Sequence, residues 1–333
     1  NGNYSGGGAG IYAKTAAGGP YDVSINNSTI SYNSGANGGG VYFNTSFNGT
    51  VTISGSTISN NIGSSRYGAG IYSEVGLTLT DTNITDNYDT NTLLQGGGVY
   101  LTGTDKVTTI TGGSISGNTA AAGGGIFVTN GADLTVGDGA LISGNIADIT
   151  SGGGAAIIGT GSTLTCSKAR FKGNDALRYG GAIYNDTGSV NLTNCNLTGN
   201  TADYYSYSAG GGIYTTGTAT VAIYSSTIAG NYASSGAGGL FHSGGTTSAT
   251  NSIFWDNAAA TGSPEIYGTV TVTYSDVAGG YTGTGNINLD PSFVTPAQAG
   301  SGSATTGGDF HIQSDSNVID QGTATDAPAD DID

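Results

Sequence analysis

Short stretches of alternating apolar and polar residues, separated by glycine clusters, recur along the whole chain. Residues 210–231, GGGIYTTGTATVAIYSSTIAGN, contain three such stretches, GGIY, ATVAIY and SSTIAGN. Alternation with a period of two over so few residues predicts β-strands rather than helices. Three strands and three corners in one unit predict one coil of a parallel β-helix, in which neighbouring coils are about 4.8 Å apart.

Two sequence anchors repeat in phase with a period of about 28 residues, and such a repeat is the signature of a solenoid. In the first anchor an aliphatic residue (or alanine) follows a glycine-rich cluster, at Ile11, Val41, Ile71, Val99, Ile126, Ala155, Ile183, Ile213 and Leu240. In the second anchor an asparagine stands three places after an aliphatic residue or phenylalanine, at Asn33, Asn61, Asn87, Asn118, Asn145, Asn174, Asn200, Asn231 and Asn257. We therefore predict an all-β, single-stranded parallel β-helix of about nine to ten coils with three strands per coil.

Energetics explain why the unit must repeat. One coil buries four or five aliphatic side chains, each worth roughly 1.5–3 kcal/mol, while ordering its backbone costs about 1–2 kcal/mol per residue. A stack is stable because adjacent coils share faces and hydrogen bonds. An inward aliphatic row is predicted five places before the second anchor's apolar residue, at Ile25, Ile53, Leu79, Ile110, Cys166, Leu192 and Ile223.

The repeated asparagine is predicted to stand at a corner of each coil. Asparagine tolerates a left-handed backbone and can bond to neighbouring turns, and stacked asparagines form amide ladders. We interpret this column as structural.

Composition narrows the possible partners. The chain has 333 residues, 7 basic against 23 acidic side chains and a formal net charge of −16. Such a charge disfavours a nucleic-acid partner, because affinity for nucleic acids comes mainly from cations that neutralise phosphates. No apolar run is long enough for a transmembrane helix. The low charge and abundant Ser, Thr and Asn favour an extracellular or cell-surface location.

An aromatic residue follows the first anchor in most coils, and strand alternation predicts that it points outward. The stripe comprises Tyr12, Tyr42, Tyr72, Tyr100, Phe127, Tyr184, Tyr214 and Phe241. It could bind sugar rings or mediate lateral contacts. The alternative, which we favour, is a structural stack of rings partly covered by corner loops.

The variable loops after three successive corner asparagines carry Asp148, Asp175 and Asp203, and Lys172 and Arg178 lie nearby. Coil spacing would put neighbouring carboxylates about 5–10 Å apart, a range that suits glycosidases. The strand SKARFKGN also places Lys168, Arg170 and Lys172 on an outward face. Cations beside a base would suit elimination on an acidic polysaccharide, and the alternative is an ordinary solvated surface.

Other candidate chemistry is sparse. Cys166 and Cys195 are 29 residues apart on different columns, so we predict two buried free thiols about 10 Å apart rather than a disulfide. His242 and His311 have no matched partners for a triad or a zinc site. The stretch NGADLTVGDGA at 130–140 resembles a Ca²⁺-binding nonapeptide but occurs once. We therefore expect no cofactor, with a bound Ca²⁺ ion as the alternative.

The two anchors resemble the paired Gly-Gly-Ala-Ile and Phe-x-x-Asn motifs of polymorphic outer-membrane proteins, with literal matches in GGAIY at 180–184 and FKGN at 171–174. Those proteins resemble autotransporters with β-helical passenger domains. The end of the chain, with TYSDVAGGYTGTGNINLDPSFV and GDFHIQSDSNVIDQGT, is similar to the ends of large bacterial right-handed β-helix surface proteins. The resemblance implies a right-handed, pectin-lyase-like helix and a surface rod, without implying a catalytic mechanism.

We divide the chain into β-helix repeats over 1–277 and a C-terminal segment over 278–333 that covers the last coil. The chain begins within a coil, at NGN, and an uncapped coil could pair with another chain, so we expect end-to-end self-association or a longer parent chain. We expect the protein to be a non-enzymatic rod, adhesin-like or fibre-forming, whose loops bind glycans or contact other subunits. A polysaccharide lyase or glycoside hydrolase on the same scaffold is the alternative.

Overall fold

A computed structural model describes residues 4–5, 10–14, 22–45, 49–89, 93, 95–204 and 206–324. Over these residues the chain winds into four parallel sheets of ten strands each, and every strand pairs with its counterpart one coil away. We name the sheets A to D in the order in which the chain visits them. The predicted all-β parallel β-helix is confirmed.

Sheets B, C and D are the three main faces of the solenoid. Sheet B comprises Ile11–Ala13, Val41–Phe43, Ile71–Ser73, Val99–Thr102, Ile126–Thr129, Ala155–Ile158, Ile183–Asp186, Ile213–Thr216, Leu240–His242 and Ile266–Tyr267. Sheet C comprises Val23–Asn26, Val51–Ser54, Thr78–Thr80, Val107–Thr111, Asp133–Gly137, Thr163–Ser167, Ser189–Thr193, Thr220–Tyr224, Thr246–Thr250 and Thr271–Thr273. Sheet D comprises Thr29–Ser31, Thr57–Ser59, Asn83–Thr85, Ser114–Ser116, Leu141–Ser143, Arg170–Lys172, Asn196–Thr198, Thr227–Ala229, Ile253–Trp255 and Asp276–Val277.

Sheet A is a minor ladder, made mostly of two-residue strands, that follows the repeated asparagine. It comprises Tyr4–Ser5, Ser34–Asn37, Ile62–Tyr67, Tyr88–Asp89, Thr119–Ala120, Ile146–Ala147, Asp175–Ala176, Thr201–Ala202, Tyr232–Ala233 and Ala258–Ala259. The three strands predicted per coil therefore correspond to the three main sheets, and the structure adds this short fourth ladder at the corner.

The core is one continuous column of aliphatic side chains inside the solenoid. Alternate residues of sheets B, C and D point inward, as in Val41, Ile53 and Ile58 of one coil, which are fully buried. The aliphatic row predicted from the sequence lies on sheet C, where Ile25, Ile53 and Leu79 stand in register. In the described part of the chain, the structure contains no helix long and apolar enough to cross a membrane.

The glycine clusters are required where the chain turns from sheet A into sheet B. Gly123 has a φ of +59°, a left-handed conformation that glycine adopts without a steric penalty. A Cβ on Gly125 would lie 2.5 Å from the carbonyl oxygen of Gly154 and 3.0 Å from Nδ2 of Asn145. The glycine anchor and the asparagine anchor thus repeat together because they pack against each other.

The C-terminal segment does more than cover the last coil. Residues 278–289 cap it, with Val277 N–H donating to Ile287 O at 3.1 Å. The chain then runs back along sheet D and forms an antiparallel pair of strands, Phe293–Thr295 and Asp309–Ile312. Phe293 and Phe310 pack against Ala229, Ile253 and Trp255 of sheet D.

Candidate functional site

The repeated asparagines form a continuous hydrogen-bonded ladder inside the solenoid. Asn145, for example, donates from its backbone N–H at 3.1 Å and from Nδ2 at 2.9 Å to Oδ1 of Asn174 in the next coil. Its Nδ2 also donates to Ile115 O at 2.8 Å. The same pattern links Asn33, Asn61, Asn87, Asn118, Asn145, Asn174, Asn200, Asn231 and Asn257. These residues are buried and support the scaffold instead of facing a ligand.

The left-handed backbone predicted for these asparagines lies one residue earlier. The residue before each ladder asparagine has a φ of +55° to +66°, and it is a glycine in five coils. In the other four coils it is Tyr32, Asn60, Asp86 or Asp256. The ladder asparagine itself is outside the left-handed region, so its backbone N–H and its Nδ2 can both donate to the same acceptor. This part of the sequence interpretation was wrong by one position.

The aromatic residues of sheet B form a stack that is buried at its centre. Tyr12 and Tyr42 have ring centroids 5.0 Å apart, and Tyr42 and Tyr72 4.6 Å apart. Tyr72, Tyr100 and Phe127 are only 2–6% exposed. Tyr67, the last residue of the sheet A strand Ile62–Tyr67, covers Tyr72 and Tyr100 at centroid distances of 5.4 and 4.7 Å.

Ala156 replaces the aromatic residue in the next coil, and the stack resumes beyond it. Tyr184, Tyr214 and Phe241 follow at centroid distances of 5.7 and 5.1 Å. Tyr179 covers this second run at 4.4 Å from the Tyr214 ring. A continuous, exposed aromatic stripe is therefore absent from the described part of sheet B.

The three loop aspartates do not form one row. Asp175 pairs in register with Ile146 and Thr201, so Asp148 and Asp203 lie on a column two residues further along. These two are separated by a whole coil, which corresponds to about 10 Å between their backbones. The catalytic arrangement considered from the sequence would need the carboxylates to converge.

Two of these aspartates also bond to the protein itself. Asp175 accepts from Oγ1 of Thr201 at 2.6 Å, and burial raises the pKa of its carboxyl, with a further contribution from the nearby Asp203. Asp203 accepts from the backbone N–H of Gly302 in the returning C-terminal segment. Partial burial also raises the pKa of the Asp148 carboxyl. Arg178, in the loop of Asp175, is half-buried.

The strand Arg170–Lys172 lies beside a segment that the sequence did not indicate as its neighbour. Arg170 and Lys172 point out from sheet D, whereas Lys168 occupies the preceding corner with a φ of +55°. The returning segment crosses this face, where Thr305 N–H donates to Gly199 O at 2.8 Å. Any Cβ on Gly199 would overlap the Thr305 backbone, so a glycine here permits the close approach.

A cleft of about 300 Å³ lies between sheet D and the C-terminal strand pair, and we call it the C-terminal cleft. It is lined by Arg170, Lys172, Asn196, Thr198, Gly308, Asp309, Phe310 and His311. Lys172 Nζ donates to Gly308 O at 2.9 Å across the cleft. Asp309 accepts from the backbone N–H of His311 at 3.0 Å, and its carboxylate contacts Nδ1 of the same histidine.

The C-terminal cleft carries more positive than negative charge. Burial lowers the pKa of Lys172, the neighbouring Arg170 lowers it further, and Asp309 acts in the opposite direction. Hydrogen bonds from His311 lower the pKa of Asp309. The site thus combines two cations, one carboxylate and an imidazole, and it is suited to hold an anion. His311 could be assigned to it only after folding, because it lies 139 residues after Lys172 in sequence.

The two cysteines are free and buried, as predicted, but their predicted separation was wrong. Their thiols are close enough to hydrogen-bond to each other, and the Cys195 thiol also donates to Thr193 O at 3.3 Å. The chain bends at the corner between sheets C and D, so their offset is not measured along a straight strand. Cys195 occupies a corner column whose later members are Ser226, Ser252 and Ser275.

The remaining candidates have structural contacts. His242 lies 3.1 Å from Oγ1 of Thr215 and 3.0 Å from Oγ1 of Thr247 through Nδ1, and burial lowers its pKa. Over the described ranges, no three His, Cys, Asp or Glu side chains come together in a way that could hold a metal ion.

Comparison with known families gives one result. The family described as "Right handed beta helix region" matches this chain over residues 4–201 and, in an overlapping second match, over 97–282. Neither a curated protein nor a solved structure matches significantly.

Proposed function

The chain belongs to the right-handed β-helix family, and on that premise we propose that it is an extracellular or cell-surface rod that acts by binding. It is adhesin-like or fibre-forming, and its variable loops and C-terminal face bind glycans or contact further subunits. The resemblance of the sequence motifs to those of autotransporter passengers supports the proposed surface location. Function resides in sites placed on a fold rather than in the fold itself.

The observation that carries the proposal is the state of the three loop aspartates. A glycoside hydrolase needs a pair of carboxylates that converge on one glycosidic bond. Here Asp148 and Asp203 are two coils apart in register, while Asp175 bonds to Thr201 and Asp203 to Gly302. These acids contribute to the scaffold, which leaves binding as the function that the surface supports best.

A specific contact favours a second candidate, a polysaccharide lyase centred on the C-terminal cleft. Asp309 contacts His311 through Nδ1, so the carboxylate could orient the imidazole as a base. In such an elimination the imidazole would take the proton beside a uronate carboxylate, and a carbon–carbon double bond would form as the glycosidic carbon–oxygen bond breaks. The electron pair of that bond would stay on the leaving oxygen, which would take up a proton from water. Arg170 and Lys172 would stabilise the charge on the carboxylate.

Three measurements on the purified chain separate these possibilities. Negative-stain electron microscopy with sedimentation reports whether uniform filaments or discrete rods form, and a glycan array reports binding. Ultraviolet absorbance of an unsaturated uronate product reports elimination. Binding or assembly without turnover supports the rod. If the chain cleaves a uronate polymer and His311→Ala abolishes this turnover with folding intact, the lyase function replaces the rod function. If the chain is inactive in all three assays, both proposals are refuted.

A further inference from the structure

The C-terminal cleft concentrates positive charge on an otherwise acidic chain. The net charge is −16 and only seven residues are Lys or Arg, yet two of them, Arg170 and Lys172, point from one three-residue strand into this cleft. Among the described residues, no carboxylate lies within ion-pair distance of Arg170, which is exposed. Two cations held side by side repel each other, and an anion between them relieves that repulsion.

The rest of the lining restricts the kind of anion. Asn196 and Thr198 stand in register with Arg170 and Lys172 one coil away, so the backbone that carries this amide and hydroxyl runs about 4.8 Å from the backbone that carries the two cations. Asp309 faces the same space from the opposite wall. An ionised carboxylate only accepts hydrogen bonds. Asp309 therefore favours a ligand that brings hydroxyl donors together with its negative charge, and it disfavours a bare phosphate or sulfate.

We propose that the C-terminal cleft binds one acidic sugar unit of a saccharide, with its carboxylate on Arg170 and Lys172 and its hydroxyls on Asn196, Thr198 and Asp309. This assignment rests on the proposed binding function and names its ligand class. The volume of about 300 Å³ is at the lower end of the range for ligand pockets. The cleft thus suits one or two sugar units and not a long stretch of chain. Arg suits this role because its planar guanidinium can bind a carboxylate through two hydrogen bonds.

The test is calorimetric titration of the full chain with three probes: a glucuronate-containing hyaluronan tetrasaccharide, a neutral N-acetylglucosamine tetramer and inorganic sulfate. We expect binding of the first probe alone. Arg170→Gln and Lys172→Gln should each weaken it by about tenfold or more, because each variant loses a charge-assisted hydrogen bond to the carboxylate of the ligand. Lys106→Gln, which removes an exposed cation outside the cleft, is the matched control and should change nothing. Thermal unfolding of each variant checks the fold.

Equal affinity for the neutral tetramer, an unchanged affinity in Arg170→Gln, or an equal loss in Lys106→Gln would overturn the assignment. Sulfate that binds as tightly as the uronate would show a simple anion site and would also overturn it. The failure of this ligand assignment remains separable from failure of the rod function. In the first case the glycan array or filament assay stays positive and is insensitive to Arg170→Gln, and in the second both assays are negative.

Discussion

Replacing Asn145 by alanine tests whether the asparagine ladder holds the solenoid together. Asn145 is fully buried in the middle of the stack. Its Oδ1 accepts the backbone N–H of Asn118 at 3.1 Å and Nδ2 of Asn118 at 3.0 Å, and its Nδ2 donates to Ile115 O. The substitution therefore leaves two buried donors of Asn118 and the buried carbonyl of Ile115 each short of a partner, while Asn174 Oδ1 loses one donor but keeps the backbone N–H of residue 145.

The magnitude follows from those three groups. A buried polar group that loses its partner costs about 1–3 kcal/mol, so the sum is roughly 3–9 kcal/mol. We expect the free energy of unfolding to fall by at least about 3 kcal/mol, which is large against the total stability of typical domains. Because coils contact mainly their neighbours, the damage should be greatest near the substituted coil.

Two assays measure this effect. Urea unfolding followed by circular dichroism gives the overall loss, and native-state hydrogen exchange should show fast exchange at the Asn118 amide. Asn191→Ala is the control, because Asn191 is exposed on sheet C and substitutions at such sites usually change stability by less than about 0.5 kcal/mol. If Asn145→Ala unfolds at the same urea concentration as Asn191→Ala, the ladder is not what stabilises the stack.

Three further predictions concern the pH response, the thiols and the C-terminal segment. Burial raises the pKa of Glu265 to about 8, so the stability that this side chain contributes should be complete below the ordinary pKa of 4.5 and should be lost as the pH rises towards 8. This loss is about 5 kcal/mol; Glu265→Gln should flatten urea midpoints across this range, whereas Asp105→Asn should not. A thiol reagent should count two cysteines after denaturation and none in the native protein, and a count of zero after denaturation would reveal a disulfide. Phe310→Ala should expose residues 293–324 to limited proteolysis while the solenoid resists, and equal cleavage of both parts would contradict their separate packing.

The periodic part of the fold was predictable because each coil has to meet the same demands. The glycine and asparagine anchors recur together since Gly125 and Asn145 pack against each other, and the aliphatic rows recur since every coil shares one core. The burial of Tyr100 was harder to predict. The ring that covers it belongs to Tyr67, which ends a six-residue strand of sheet A, whereas most strands of that sheet have two residues.

The C-terminal cleft was not predictable from the repeat, because half of it comes from a non-periodic segment. Arg170 and Lys172 stood out in the sequence, but nothing in the period places Asp309 and His311 beside them. The close approach depends partly on a glycine at Gly199. Glycine also stands at the equivalent positions Gly117 and Gly144, so its presence alone does not indicate where another segment crosses.

The direction of the internal ladders explains why the last coil needs non-periodic residues. Each ladder asparagine donates to the next coil, so Asn257 is left with donors that no further asparagine can accept. Glu265 supplies the acceptor, at 3.2 Å from the Asn257 backbone N and 2.5 Å from Nδ2. The corner serine column ends in the same way, since Ser275 N–H donates to Oδ1 of Asn286 at 3.1 Å. A repeat can satisfy its own hydrogen bonds everywhere except at its ends. Glu265 and the capping segment therefore follow from the same physical requirement as the ladder itself.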